Sequence, residues 1–99
     1  MSALKDHVQS LRSKNAGPFW LTIDIFCGSR EAFETVSAQL ITADVAQRLQ
    51  TSEASLKRFD IVDLHVIKFS LPRPAIQGTA ADRDMHGASF THVLAELEI

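Results

Sequence analysis

Residues 19 to 27, FWLTIDIFC, sort by parity. Phe19, Leu21, Ile23, Ile25 and Cys27 are all apolar, while Trp20, Thr22, Asp24 and Phe26 form a mixed second set. A period of two in β-branched and aromatic residues specifies a strand. A strand with one wholly apolar face cannot stand alone and needs a second layer to bury that face. Its other face is mixed rather than purely polar, which predicts cover by a ligand, a partner or the N-terminal segment.

The next segments supply the second layer. Gly28-Ser29 ends the strand, and Ser29 is placed to cap a helix beginning at Arg30-Glu31. Phe33, Val36 and Leu40 fall on one face of that helix. Thr42 is a second cap candidate, followed by Val45, Ala46 and Leu49 at helical spacing. A short turn is expected near Ser52 to Leu56. Phe59 and Ile61 alternating with Asp60 suggest a short edge strand. Residues 64 to 71 form a better one, with His65, Ile67, Phe69 and Leu71 facing one way and Val66, Lys68 and Ser70 the other. Pro72 and Pro74 stop central pairing. Thr91, Val93, Ala95, Leu97 and Ile99 alternate with His92, Leu94, Glu96 and Glu98, which reads as a final strand. Residues 4 to 11 suit either a helix or a strand.

Strands and helices segregated in this way favour an α+β sandwich, an antiparallel or mixed sheet with helices on one face, and a ferredoxin-like arrangement is expected over a single domain, 1–99. The expected core is Phe19, Leu21, Ile23, Phe33, Val36, Phe69, Val93 and Leu97. A chain of 99 residues can bury about 65% of its unfolded surface. A net charge of −2 without a polybasic run argues against nucleic acid, which needs a basic surface. No apolar stretch approaches the ~20 residues needed to cross a bilayer. The N-terminus lacks the apolar core of a signal peptide, and one cysteine makes no internal disulfide. A cytoplasmic protein without a membrane partner is expected.

Two polar stretches are candidates for chemistry. Arg12-Ser13-Lys14-Asn15 precedes Gly17-Pro18, and two readings of it are open. A carboxylate or phosphate would suit the planar fork of Arg and the point charge of Lys; alternatively this is a solvated turn leading into the strand. The second stretch, residues 73 to 88, is long for a connection in a compact domain, and such loops are functional or disordered. It holds Arg73, Gln77, Thr79, Asp82, Arg83, Asp84 and His86, with Gly78 and Gly87 permitting tight turns. Asp82, Asp84 and His86 alternate like metal ligands, yet without a second His or Cys cluster internal Asp–Arg pairing is favoured, and neither metal nor cofactor is expected. Within the strands, Asp24 and Lys68 would meet if their faces coincide, as an ion pair or a proton-transfer pair. Cys27 continues the apolar parity and reads as a small core residue.

The strings RSKNAGPFWLTIDIF and PRPAIQGTAADRDMHGA, with LAELEI at the end, resemble the family called domain of unknown function 4387, across nearly the whole chain. The resemblance implies a stand-alone chain encoded beside a larger acyclic-terpene-utilisation-like (AtuA-like) protein. Those larger proteins carry a C-terminal ferredoxin-fold domain of similar layout, whose counterparts here would be Arg12-Ser13, Thr42, Gly78 to Gly87 and Leu94 to Ile99. They are associated with catabolism of branched acids and acyl-CoA thioesters, so an organic acid or thioester is the implied ligand class. Ala88-Ser89-Phe90 departs from the family's aromatic and Gln pattern.

The expected function is therefore a small subunit or partner of an AtuA-like metabolic protein that contributes an anion-binding surface. In it Arg12 and Lys14 hold the anion, and Ser13, Asn15 and Gly17 shape the first loop. Arg73 or Arg83, with Gly78, Asp82, Asp84 and Gly87, closes the other side. Asp24 and Lys68 are the catalytic candidates if the complex is a hydratase or hydro-lyase. The alternatives are a stand-alone homo-oligomeric enzyme acting on a small acid and a purely structural interaction module.

Overall fold

The computed structural model describes residues 2–17, 19–72 and 89–99. Four strands, β1 (Ser10–Asn15), β2 (Trp20–Phe26), β3 (Lys57–Ile61) and β4 (Val66–Pro72), form one antiparallel sheet in the order β1-β2-β4-β3. Helices α1 (Arg30–Gln39) and α2 (Thr42–Arg48) join β2 to β3, and α3 (Ser89–Ala95) follows β4. The class is α+β, as the segregation of elements predicts. Among the described residues the elements run ββαββα, so the βαββαβ order of a ferredoxin-like sandwich is not shown. The observed run is that order with the last strand carried at the front, α1 and α2 sharing one crossover. The chain ends meet where such a rearrangement would join them. Leu4 N–H donates to the Leu97 carbonyl at 2.7 Å, Ile99 N–H to the Ser2 carbonyl at 3.0 Å, and Ala3 bridges Glu98. Lys5 Nζ donates to Glu96 Oε1 at 2.6 Å over this clasp, a hydrogen bond that holds the Glu96 carboxyl below its ordinary range.

The parity of β2 is obeyed. Leu21, Ile23 and Ile25 are fully buried beside Ile67, Phe69 and Leu71 of β4, under Phe33, Val36, Leu40, Val45 and Leu94 of the helical layer. Ser29 caps α1, its Oγ accepting from Ala32 N–H at 3.1 Å. Thr42 caps nothing. Ile41 is the residue preceding α2, and Thr42 Oγ1 instead accepts from Arg58 Nη1 at 3.2 Å. The same guanidinium donates to the Leu40 carbonyl at 2.6 Å and to the Ser37 carbonyl at 2.9 Å, and its Nε donates to Asp60 Oδ1 at 2.8 Å. Arg58 thus satisfies carbonyls that the end of α1 leaves without an intrahelical partner.

Other expectations need correction. Residues 91 to 99 are not a strand: Ser89–Ala95 is helical. Apolar residues at 90, 93, 94 and 97 have the spacing of a helical stripe as well as two-residue alternation, and packing of Leu94 into the core under β1 selects the helix. Val93 is consequently on the outside at 42% exposure, and Phe19, which precedes β2 in the hairpin turn, is 58% exposed. His65 lies before β4 in the left-handed region, φ 54°, with its ring 6.3 Å from that of Phe33. The ambiguous N-terminal segment is a 3-10 turn over Leu4–Asp6 that buries Leu4 completely.

Candidate functional site

The polar stretch before Gly17 is itself a strand. Arg12 to Asn15 lie in β1, paired to β2 in the register Arg12↔Asp24, Ser13↔Ile23, Lys14↔Thr22 and Asn15↔Leu21. Directly opposed residues of an antiparallel pair share a face, so the stretch divides. Ser13 and Asn15 stand with the buried residues of β2, and Ser13 Oγ lies 3.3 Å from Thr91 Oγ1 of α3. Arg12 and Lys14 stand on the opposite face and are exposed. Gly17 serves the hairpin, with φ 79° and no heavy atom within 4 Å of an added Cβ, so backbone freedom rather than space requires it there. The loop reading of Arg12 to Asn15 is therefore replaced by an edge strand whose two cations face away from the helices. Of the remaining expected site residues, Arg73, Gly78, Asp82, Arg83, Asp84 and Gly87 lie outside the described residues, as do Gln77, Thr79 and His86.

Following the pairings across β1, β2, β4 and β3 lays out that second face in rows. Lys14, Thr22, Ser70 and Lys57 form one row. Arg12, Asp24, Lys68 and Phe59 form the next, and Ser10, Phe26, Val66 and Ile61 a third. Trp20 and Pro72 extend the face at the hairpin end. Among the described residues every helix packs on the other side of the sheet. Asp24 and Lys68 are direct cross-strand partners, as a shared face required, and Arg12 flanks Asp24 from β1. No ion pair joins Asp24 to either cation among the described residues.

Four cations and one carboxylate give these rows a charge of +3 in a chain whose net charge is −2. The remaining charges of the described residues sum to about −5, so among the described residues this sheet face is basic and the rest acidic. The aromatic residues are only partly covered. Trp20 is 42% and Phe59 49% exposed, while Phe26 is half-buried beneath Arg12, whose Cζ stands 5.9 Å from the ring centroid. Lys57 Nζ is 5.9 Å from the Trp20 ring centroid, so its side chain runs inward across β4 toward β2. An open cleft of about 390 Å³ borders the face and is lined by Gln9, Ser10, Arg12 and Phe26. A second cleft, of about 430 Å³, lies at the end of α2 among Asp44, Gln47, Arg48, Gln50 and Leu97. There Asp44 offsets Arg48, and the site lacks the charge bias of the sheet face.

Lys57 lies ahead of the Phe59–Ile61 alternation that marks the edge strand, so local pattern does not place it on this face. Its link to Thr22 and Ser70 depends on strand register, which no local pattern encodes. Among the described residues no group of three His, Cys, Asp or Glu could hold a metal ion, and no helix is long and apolar enough to cross a membrane. Cys27 is buried and its thiol pKa is raised by desolvation, opposite to what a reactive thiolate needs.

Residues 4–98 match the family model described as Domain of unknown function (DUF4387). No curated protein and no solved structure matches the chain.

Proposed function

The chain belongs to that family, and we propose that it works as a small subunit of a larger AtuA-like metabolic protein, presenting the sheet face opposite its helices as an anion-binding wall. The observation that carries this reading is the charge of that face: Arg12, Lys14, Lys57 and Lys68 against Asp24 alone, in an acidic chain. Cations gathered against the net charge of a protein favour an anionic ligand and an acidic partner surface. Trp20 and Phe59 add apolar contact area of the kind that anchors interfaces. An organic acid or acyl thioester held between this wall and the larger protein would meet both features. Asp24, flanked by Arg12 and Lys68, would transfer the proton if the complex adds water to an unsaturated acid or removes it.

The homo-oligomeric reading is less well supported. Two copies meeting through this face would set four cations against four, and like charges across an interface are costly. Nothing in the face's composition suits nucleic acid better than a small carboxylate, since the chain as a whole is acidic and would repel a polyphosphate.

Co-purification of the tagged chain from its native host, with mass spectrometry of bound proteins and small molecules, tests the proposal. A stoichiometric larger protein of the AtuA-like kind is the expected result. Recovery of the chain alone, monomeric or self-associated, contradicts it.

A further inference from the structure

Thr22 is more than nine-tenths buried at 8% exposure, and its Oγ1 has no hydrogen-bond partner among the described residues. Buried hydroxyls are ordinarily paired, and each exception calls for an explanation. This one sits at the middle of the sheet face opposite the helices. Its row runs Lys14, Thr22, Ser70, Lys57, one residue from each strand. Three strand spacings of about 4.8 Å put the Lys14 and Lys57 backbones about 14 Å apart. Two hydroxyl-bearing residues lie between them, and the Lys57 side chain is already turned inward over Trp20.

We infer that this row is a carboxylate site, in which the Thr22 hydroxyl donates to one oxygen with Ser70 beside it and Lys14 and Lys57 supply the charge. The inference rests on the reading of this face as an anion-binding wall and assigns its centre. A carboxylate fits the count of donors, because its two oxygens offer about four lone-pair sites to two hydroxyls and two ammoniums. The adjacent row cannot take that place as well, since Asp24 stands between Arg12 and Lys68 and would repel a second carboxylate. Trp20, next to the row, gives the apolar part of the ligand a flat surface. The ligand class is therefore a monocarboxylic acid with a short apolar tail, and its binding would draw Lys57 from the Trp20 ring to the carboxylate.

Butyrate is a suitable probe, titrated into the full chain at constant ionic strength against chloride. Trp20 is the only tryptophan in the chain, so its fluorescence reports displacement of Lys57, and amide NMR shifts locate the binding. Saturable shifts centred on Lys14, Thr22, Lys57 and Ser70 are expected, with a matching fluorescence change. Thr22→Val keeps the side-chain shape without the hydroxyl and should weaken butyrate at least fivefold, as should Lys57→Gln; Lys5→Gln, on the terminal clasp, should leave it unchanged. Wild-type affinity in Thr22→Val, shifts centred elsewhere, or no saturable shift would each overturn the row. If Arg12→Gln alone weakens butyrate, the row is overturned while the anion-binding face stands. A failed co-purification beside intact butyrate binding would remove the partner role and leave the row in place.

Discussion

Asp24 of β2 and Lys68 of β4 are direct cross-strand partners, and Arg12 of β1 faces Asp24 from its other side. The only carboxylate in the rows of that sheet face is thus held between two cations without forming an ion pair to either among the described residues. Replacing Asp24 with Asn should change stability by no more than about 1 kcal/mol, because loosely paired surface charges contribute little. It should also strengthen carboxylate binding a few-fold by removing the one repulsive charge. Urea denaturation and a butyrate titration measure the two effects; weaker binding would contradict the charge account.

Arg58 tests a different link, between β3 and the end of α1. Its guanidinium donates to the carbonyls of Ser37 and Leu40, to Thr42 Oγ1 and to Asp60. Arg58→Met keeps the stem and should cost about 2–4 kcal/mol, since hydrogen bonds to charged groups contribute about 1.5–3 kcal/mol each and their loss leaves carbonyls unpaired. Arg58→Lys should recover little, because one ammonium cannot reproduce the fork. A loss below about 1 kcal/mol in Arg58→Met would show that water replaces these bonds freely.

The core and its margin should separate cleanly. Ile23→Ala, at a fully buried position, should cost about 2–5 kcal/mol as a cavity-forming change. Phe19→Ala, at 58% exposure, should cost less than about 1 kcal/mol. Equal losses in a denaturant titration would mean that Phe19 is buried after all.

Two glycines with positive φ differ in what surrounds them. Gly17 meets nothing, whereas a Cβ on Gly28, φ 88°, would come within 3.0 Å of the Gln9 Cβ. Gly17→Ala should cost about 1 kcal/mol from backbone strain alone. Gly28→Ala should cost more, because Gln9, just ahead of β1, must also move. The difference between their unfolding midpoints is the measurement.

Burial pushes the Cys27 thiol above its ordinary pKa of 9.0. The thiol ionises more readily in the unfolded chain, so its contribution to stability is complete below about pH 9 and is lost as pH rises through the folded-state pKa. Alkylation of the native protein at pH 8 should accordingly track global unfolding. Rapid modification without unfolding would place Cys27 at the surface.

What the sequence disclosed follows from how local each signal is. The parity of β2, the Ser29 cap and the stripe of Phe33, Val36 and Leu40 are properties of neighbouring residues, and all three are found. Residues 91 to 99 satisfied two periods at once, and only the position of Leu94 against the sheet decides between them. Arg12 to Asn15 were legible as charged but not as a strand, because β1 is an edge whose alternation is polar on one side and merely half-buried on the other. The row from Lys14 to Lys57 joins residues 43 positions apart in the chain, and it exists only once four strands are in register. Arg58 likewise gains its role from the place where α1 happens to end.

The basic sheet face is proposed to bind a larger partner. Light scattering after size exclusion gives the mass of any complex when the proposed AtuA-like partner is mixed with wild type, with Lys14→Glu/Lys57→Glu, or with Arg30→Glu/Arg48→Glu on the helical side. A stoichiometric complex is expected with wild type and with the helical-side variant, and its loss when Lys14 and Lys57 are reversed. A complex that survives reversal of Lys14 and Lys57 but fails with Arg30→Glu/Arg48→Glu would contradict the proposal and assign the binding surface to the helices.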